Sequence, residues 1–218
     1  MKLNPQTLSI LQNFQTINPS IVINEGNIIK TIAPTESIFA KAIIQDDFPQ
    51  TFGIFELSKF LGILSISTAS QLEFKDDHLI IRQGKSKIKY GYCDPSLIVV
   101  PPDKDIKLGT PEVMFELSPE AIQGVMKAMQ ILGFSELEFK GEDGNLSIGT
   151  VNTKNSGSNI YSTDIGETSK TFSAIIEVDK LKLIPNIYTV SISSRGLAHF
   201  KCDQIEYWIA LSTKSKFE

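Results

Sequence analysis

The sequence predicts an α+β fold in which one small unit is repeated, and three observations carry that expectation. Phe55-Glu-Leu-Ser58 recurs as Phe115-Glu-Leu-Ser118, and Leu72-Glu-Phe-Lys75 recurs as Leu137-Glu-Phe-Lys140. A helical stretch separates the two tetrapeptides in both copies and alternating strands follow, so each copy reads as helix, hairpin and further strand. At 218 residues, 41% hydrophobic and 21% charged, the chain has enough apolar residues for two ordinary globular cores.

The elements follow in order. Leu3, Leu8, Leu11, Phe14 and Ile17 stand at helical spacing, with Pro5 tolerable in a first turn and Gln6, Ser9, Asn13 and Thr16 on the other face. Ile21-Val-Ile23 and residues 28–32 read as a hairpin about a turn at 24–27, where Gly26 accepts a positive φ. Strands are expected at 37–44 and 52–55. A helix at 57–64, starting near Glu56 or Ser58, leads to a hairpin of 72–75 with 79–82. In the strand at 87–92, Ile88 and Tyr90 alternate with lysines.

Residues 95–111 break the pattern with clustered prolines, the apolar run Leu97-Ile-Val-Val100 and lysine–aspartate alternation. They read as a connector between domains at 1–94 and 112–218. In the second domain Ser118-Pro119-Glu120 supplies a cap, a proline and an acid at a helix start. Ile122, Val125, Met126, Met129 and Leu132 form its apolar stripe, against Gln123, Lys127 and Gln130. A hairpin closes at 141–145, and residues 152–159 read as a flexible loop. Strands follow at 160–165 and 172–178. A fourth, short helix is expected at 178–184, ended by Pro185, before a hairpin of 188–192 with 197–200 and a last strand at 204–211.

Little in the chain supports catalysis. Gly84-Lys85-Ser86 ends like a phosphate loop, but Leu79 stands where its first glycine is needed. His78 beside Asp76 and Asp77 reads as a solvated turn, because neighbouring residues in a turn diverge while metal sites need convergent ligands. Glu136 and Glu138 share a strand face but show nothing to raise one pKa. Cys93 and Cys202 lie far apart in sequence and read as reduced thiols. The formal net charge of −4 argues against holding nucleic acid by bulk charge. Without a signal peptide or an apolar run long enough for a membrane span, cytoplasm is the expected compartment.

Four helix-plus-hairpin units in two similar halves resemble the DNA sliding clamp, the processivity factor of DNA polymerase, and most closely that of T-even-type bacteriophages. The likeness spans nearly the whole chain. It rests on the Met-Lys-Leu start with Ile10-Leu-Gln-Asn-Phe14, on Leu57 through Ser67, on Gly144-Asn-Leu-Ser-Ile148 and on Pro185-Asn-Ile-Tyr-Thr-Val190. The resemblance implies a homotrimeric ring that encircles duplex DNA without cofactor, metal or catalysis. It also implies three partners: the replicative polymerase, an ATP-driven clamp loader and, in such phages, the late-transcription machinery.

Twelve helices in such a ring would turn Lys59, Lys127, Lys180 and Lys182, with Gln6, Asn13, Gln123 and Gln130, toward the DNA. A partner peptide is expected to meet Leu97, Ile98, Val99, Val100 and Pro101. Subunits are expected to join through the edge at 86–92, with Ile88, Tyr90 and Tyr92, and the edge at 159–165, with Ile160, Tyr161 and Ile165. Two other readings fit the residues: a duplicated-domain viral structural or assembly protein that does not retain DNA, and a small-molecule enzyme with a hidden polar pocket.

Overall fold

A computed structural model describes residues 1–66, 69–102, 104, 106–153 and 159–218. Two compact units emerge, Met1–Lys104 and Asp105–Glu218, so their boundary falls within the proline-rich segment.

In the first unit, α1 (Pro5–Gln15) starts at Asn4, whose side chain accepts from the Gln6 amide, and buries Thr7, Ile10, Leu11 and Phe14. Then come β1 (Ile21–Ile23), β2 (Gly26–Ile32), β3 (Ile38–Phe48) and β4 (Phe52–Ile54). The expected hairpin of β1 with β2 does not form. β1 pairs instead with β4 and β2 with β3, all antiparallel, so Gly26, at φ 103°, redirects the chain from one pairing to another. α2 (Leu57–Ser65) buries Leu57, Phe60, Leu61 and Leu64, and no side chain caps its start at Glu56. β5 (Gln71–Phe74), β6 (His78–Gln83) and β7 (Ser86–Gly91) form a three-stranded meander. Gly84-Lys85 is its second turn, which disposes of the phosphate-loop resemblance. A single 3₁₀ turn, Pro95–Leu97, follows.

In the second unit, β8 (Val113–Leu117) leads into α3 (Pro119–Leu132). Ser118 caps α3 by accepting from the Ala121 amide at 3.3 Å, and Gly133 ends it at φ 72°. Only Val125 and Met129 of the apolar stripe are fully buried; Ile122, Met126 and Leu132 are half-exposed. β9 (Glu136–Glu142), β10 (Asn145–Val151), β11 (Ser162–Glu167) and β12 (Phe172–Glu177) follow. Next come β13 (Tyr188–Ser193), β14 (Leu197–Lys201), β15 (Ile205–Ala210) and β16 (Lys216–Phe217). One sheet runs β11-β10-β9-β12-β16, and in the other β15, β14, β13 and β8 hydrogen-bond in that order.

The fourth helix is absent: Val178–Lys180 makes one 3₁₀ turn and the chain then runs on irregularly to Pro185. Seven residues gain too few helical bonds to offset nucleation, and proline disfavours helical geometry at Ile184. Three α-helices therefore stand, among the described residues, where four were expected.

The repeat has a packing cause. α2-β5-β6-β7 and α3-β9-β10-β11 follow one plan, and the phenylalanine of each Leu-Glu-Phe-Lys anchors an aromatic cluster. Phe74 lies 5.5 Å from Phe52, which lies 5.7 Å from Phe48. Phe139 lies 5.4 Å from Phe115 and 6.3 Å from Phe200. The fully buried rings, Phe48, Phe52, Phe139 and Phe200, each contribute roughly 1.5–3 kcal/mol, and the half-buried Phe74 and Phe115 less.

Candidate nucleic-acid interface and partner surfaces

Chemistry suited to phosphate sits on the helices, because each buries one stripe and leaves the other polar. On α1, Ser9, Gln12 and Thr16 are exposed, whereas Gln6 and Asn13 are half-buried. Gln12 belongs to this face and was missed; its i, i+3, i+4 spacing from Ser9 and Thr16 was the available signal. On α2, Lys59 is exposed and pairs with Glu56 at 2.7 Å. On α3, Gln123, Lys127 and Gln130 are all exposed, with Ile131 beside them, 74% exposed.

Lys180 and Lys182, expected on a helix, lie instead on the 3₁₀ turn and the irregular segment after it. Lys180 reaches Glu177 at 3.1 Å with its side chain only 17% exposed, and Lys182 is half-buried and already engaged. Of the four lysines, Lys127 is therefore the one both exposed and without an ion pair.

The connector segment divides its residues. Leu97, Val99 and Val100 are exposed and Pro101 half-exposed, but Ile98 is 6% exposed. The turn starts from Asp94, whose side chain accepts from the Ser96 amide at 2.9 Å; that bond holds its carboxyl below the usual range. Cys93 pairs across to Gly53, its amide donating to the Gly53 carbonyl at 3.0 Å. A methyl group on Gly53 would meet the Cys93 carbonyl at 2.7 Å and Ile98 Cδ1 at 3.3 Å. The segment is thus held at Gly53 and offers Leu97, Val99 and Val100 outward. Both cysteines are free, and burial pushes the Cys93 thiol up, with Asp94 adding to it, which keeps it protonated and unreactive. Asp103 and Asp105 lie outside the described residues, as do 154–158 of the expected loop.

Each unit also ends a sheet on an open edge, β7 in the first and β11 in the second. Ile88 and Tyr90 are half-buried on one face of β7, where the Tyr90 ring lies 5.4 Å from Phe60 of α2. Tyr92 falls just beyond the strand, 5.1 Å from Phe52. β11 begins two residues later than expected, so Ile160, 69% exposed, and Tyr161 precede it while Ile165 lies within it. The Thr150 amide donates to the Tyr161 carbonyl at 2.8 Å, and the Tyr161 amide donates to Thr150 Oγ1 at 3.0 Å. The threonine hydroxyl replaces a ladder carbonyl there, and regular pairing starts only at Ser162.

His78 pairs with Asp77, and His199 pairs with Glu206 at 2.8 Å while stacking on Trp208 at 4.4 Å. Among the described residues, no group of three or more histidines, cysteines and acids could hold a metal. An apolar cleft of about 130 Å³ lies among Leu3, Leu8, Leu61, Leu64 and Leu72, and one of about 180 Å³ among Ile122, Met126, Leu181 and Ile184. Among the described residues, no helix is long and apolar enough to cross a membrane.

Comparison with known proteins places these surfaces in context. Residues 2–100 match the family model described as DNA polymerase processivity factor, and residues 114–213 the one described as gp45 sliding clamp, C terminal. The sliding clamp of Vibrio phage KVP40 is 28% identical, over 96% of this chain and 98% of its own length. That of Enterobacteria phage T4 is 28% identical over 99% and 98%. Among solved structures, A. fulgidus PCNA bound to the C-terminal region of FEN-1 aligns with a TM-score of 0.71 at 15% identity, covering 96% of each chain. The H. pylori beta clamp bound to a DNA ligase peptide aligns at 0.64 and 21%, over 95% of this chain and 64% of that one.

Proposed function

The chain belongs to the sliding-clamp family of DNA polymerase processivity factors, and from that membership we propose that three copies close head to tail into a ring around duplex DNA. The ring tethers the replicative polymerase and performs no chemistry of its own. One observation carries the reading from the family to this chain: β7 ends a sheet of the first unit, β11 ends a sheet of the second, and neither has a strand on its outer side among the described residues. Two different edges per chain are what heterologous closure requires, since a ring forms when each copy offers one surface and accepts the other. An uncovered edge otherwise invites aggregation.

Within such a ring the helices face the duplex. Neutral amides and few free cations suit a surface that stays near phosphates without gripping them, because phosphate contacts carry no sequence information. A chain of net charge −4 then holds DNA by topology rather than by counterion release. Opening the ring requires an ATP-driven loader, and the place of action is the host cytoplasm. Leu97, Val99 and Val100, with Pro101 beside them, receive an apolar peptide from the polymerase, and Ile98 anchors the segment beneath them.

Primer extension by the cognate polymerase, with loader and ATP and an excess of trap DNA, tests this. Products should lengthen by an order of magnitude or more when the chain is added. Unchanged product length, with loader ATPase active, would refute the proposal.

A further inference from the structure

The β7 and β11 edges differ in charge, and the difference bears on how copies meet. β7, Ser-Lys-Ile-Lys-Tyr-Gly, carries Lys87 and Lys89 and no acid, and Lys85 precedes it in the turn. β11, Ser-Thr-Asp-Ile-Gly-Glu, carries Asp164 and Glu167 and no base. The groove beside β11 is lined further by Glu116 and Glu120, both exposed. Among the described residues, Lys85, Lys87, Lys89, Asp164 and Glu167 make no ion pair, although Lys89 stands near enough to Asp77 to help lower its carboxyl. The neighbouring charges on the β7 sheet are by contrast already matched, since Glu73 holds both Lys75 at 2.7 Å and Arg82 at 3.0 Å. Lys87 stands directly opposite Arg82 in the β6–β7 register, and like charges so placed destabilise a sheet unless an acid approaches.

The faces agree as well. In β7 the exposed positions are Lys87 and Lys89, while Ile88 and Tyr90 are half-buried and Tyr90 leans on α2. In β11 the exposed positions include Asp164 and Glu167, while Thr163 and Ile165 are half-buried. Just before it, the Tyr161 hydroxyl sits so close to Gly124 of α3 that a methyl there would meet it at 2.9 Å. Joining the edges with their helix sides aligned puts apolar residues together on one face and lysines beside carboxylates on the other.

We propose that these edges form a charge code permitting only head-to-tail contact, in which the basic β7 edge of one copy accepts the acidic β11 edge of a second copy. The proposal rests on the ring reading above and adds what sets its direction. Two β7 edges would oppose lysine to lysine and two β11 edges acid to acid, so two-fold dimers, which would use up the edges without closing a ring, are disfavoured. Because the charges are exposed, the contact weakens with salt as the screening length falls from about 10 Å at 0.1 M toward about 3 Å at 1 M.

Sedimentation of the full chain across a dilution series, at low and high salt, tests the code. Three variants are compared: Lys87→Glu with Lys89→Glu, Asp164→Lys with Glu167→Lys, and all four changes together. Circular dichroism confirms that each is folded, as expected for exposed positions. Either pair should raise the concentration at which the trimer dissociates by about tenfold or more at low salt, and the fourfold exchange should bring it back to within about threefold of the parent. A pair that leaves assembly unchanged, or a fourfold exchange no better than its parts, would overturn the code while leaving the ring intact. A parent chain that stays monomeric throughout would instead overturn the ring reading on which the code depends.

Discussion

Replacing Gly53 by alanine should loosen the connector where it is anchored. A methyl group there would lie 2.7 Å from the Cys93 carbonyl oxygen, 3.0 Å from Cys93 Sγ and 3.3 Å from Ile98 Cδ1. The first of these is backbone, so the segment from Cys93 to Ile98 must move. Overpacking of this kind costs about 1–3 kcal/mol, and losing the Cys93–Gly53 hydrogen bond about 0.5–1.5 more, which together suggests roughly 2–4 kcal/mol. Gly62 is the matched control. It lies within α2, and nothing stands within 4 Å of a methyl group there, so alanine should stabilise by about 0.5–1 kcal/mol. Urea unfolding followed by circular dichroism reads both. Opposite shifts of the midpoint are expected, and a Gly53→Ala chain as stable as the parent would refute the reasoning.

Other consequences concern the functional surfaces and pH. Leu97→Ser should abolish stimulation of the polymerase with no change in unfolding midpoint, whereas Ile98→Ser should lower the midpoint through a loss of about 2 kcal/mol or more of stability, because only the second side chain is buried. Lys127→Glu should slow DNA-stimulated loading several-fold in a loader ATPase assay, and Lys180→Glu should alter it less, since Lys180 is already paired and mostly covered. His199 is held below its ordinary pKa by burial, against the opposing pull of Glu206. Below about pH 6.5 the unfolded chain therefore binds more protons than the folded one. Stability should be constant in this respect above that pH and fall as acid is added. Thermal unfolding of His199→Gln should show a weaker acid dependence than the parent.

How much of this could be read in the sequence depends on whether the signal was local. α3 was legible at its start, since Ser118, Pro119 and Glu120 mark it, and along its length, since the apolar spacing writes its face. The hairpin of β9 and β10 was equally plain, because Asp143-Gly144 supplies the positive φ its turn needs. β1 and β2 were misread as partners because a turn-like stretch between two strands looks the same whether they pair together or with strands elsewhere. That choice is made by β3 and β4, which tertiary packing brings in. The fourth helix failed on length, a matter of nucleation that apolar spacing does not report. At the candidate sites, Lys127, Gln123 and Gln130 lie where the periodicity put them. Lys180 and Lys182 do not, because they depended on the helix that is absent. Ile98 could not be told from Leu97 in an unbroken apolar run, because the residues that hold the segment are distant in sequence: Gly53, against which Ile98 packs, and Asn18, whose side-chain amide donates to the Val99 carbonyl at 3.3 Å.

The central claim is that DNA is held by enclosure. It is tested most directly by loading the chain onto nicked circular DNA with its loader and ATP, removing both, raising the salt, and then cutting the circle once. The protein should remain on the circle through the salt step and leave within minutes of the cut. Loss from the circle at the salt step, or persistence on the cut DNA, would contradict it.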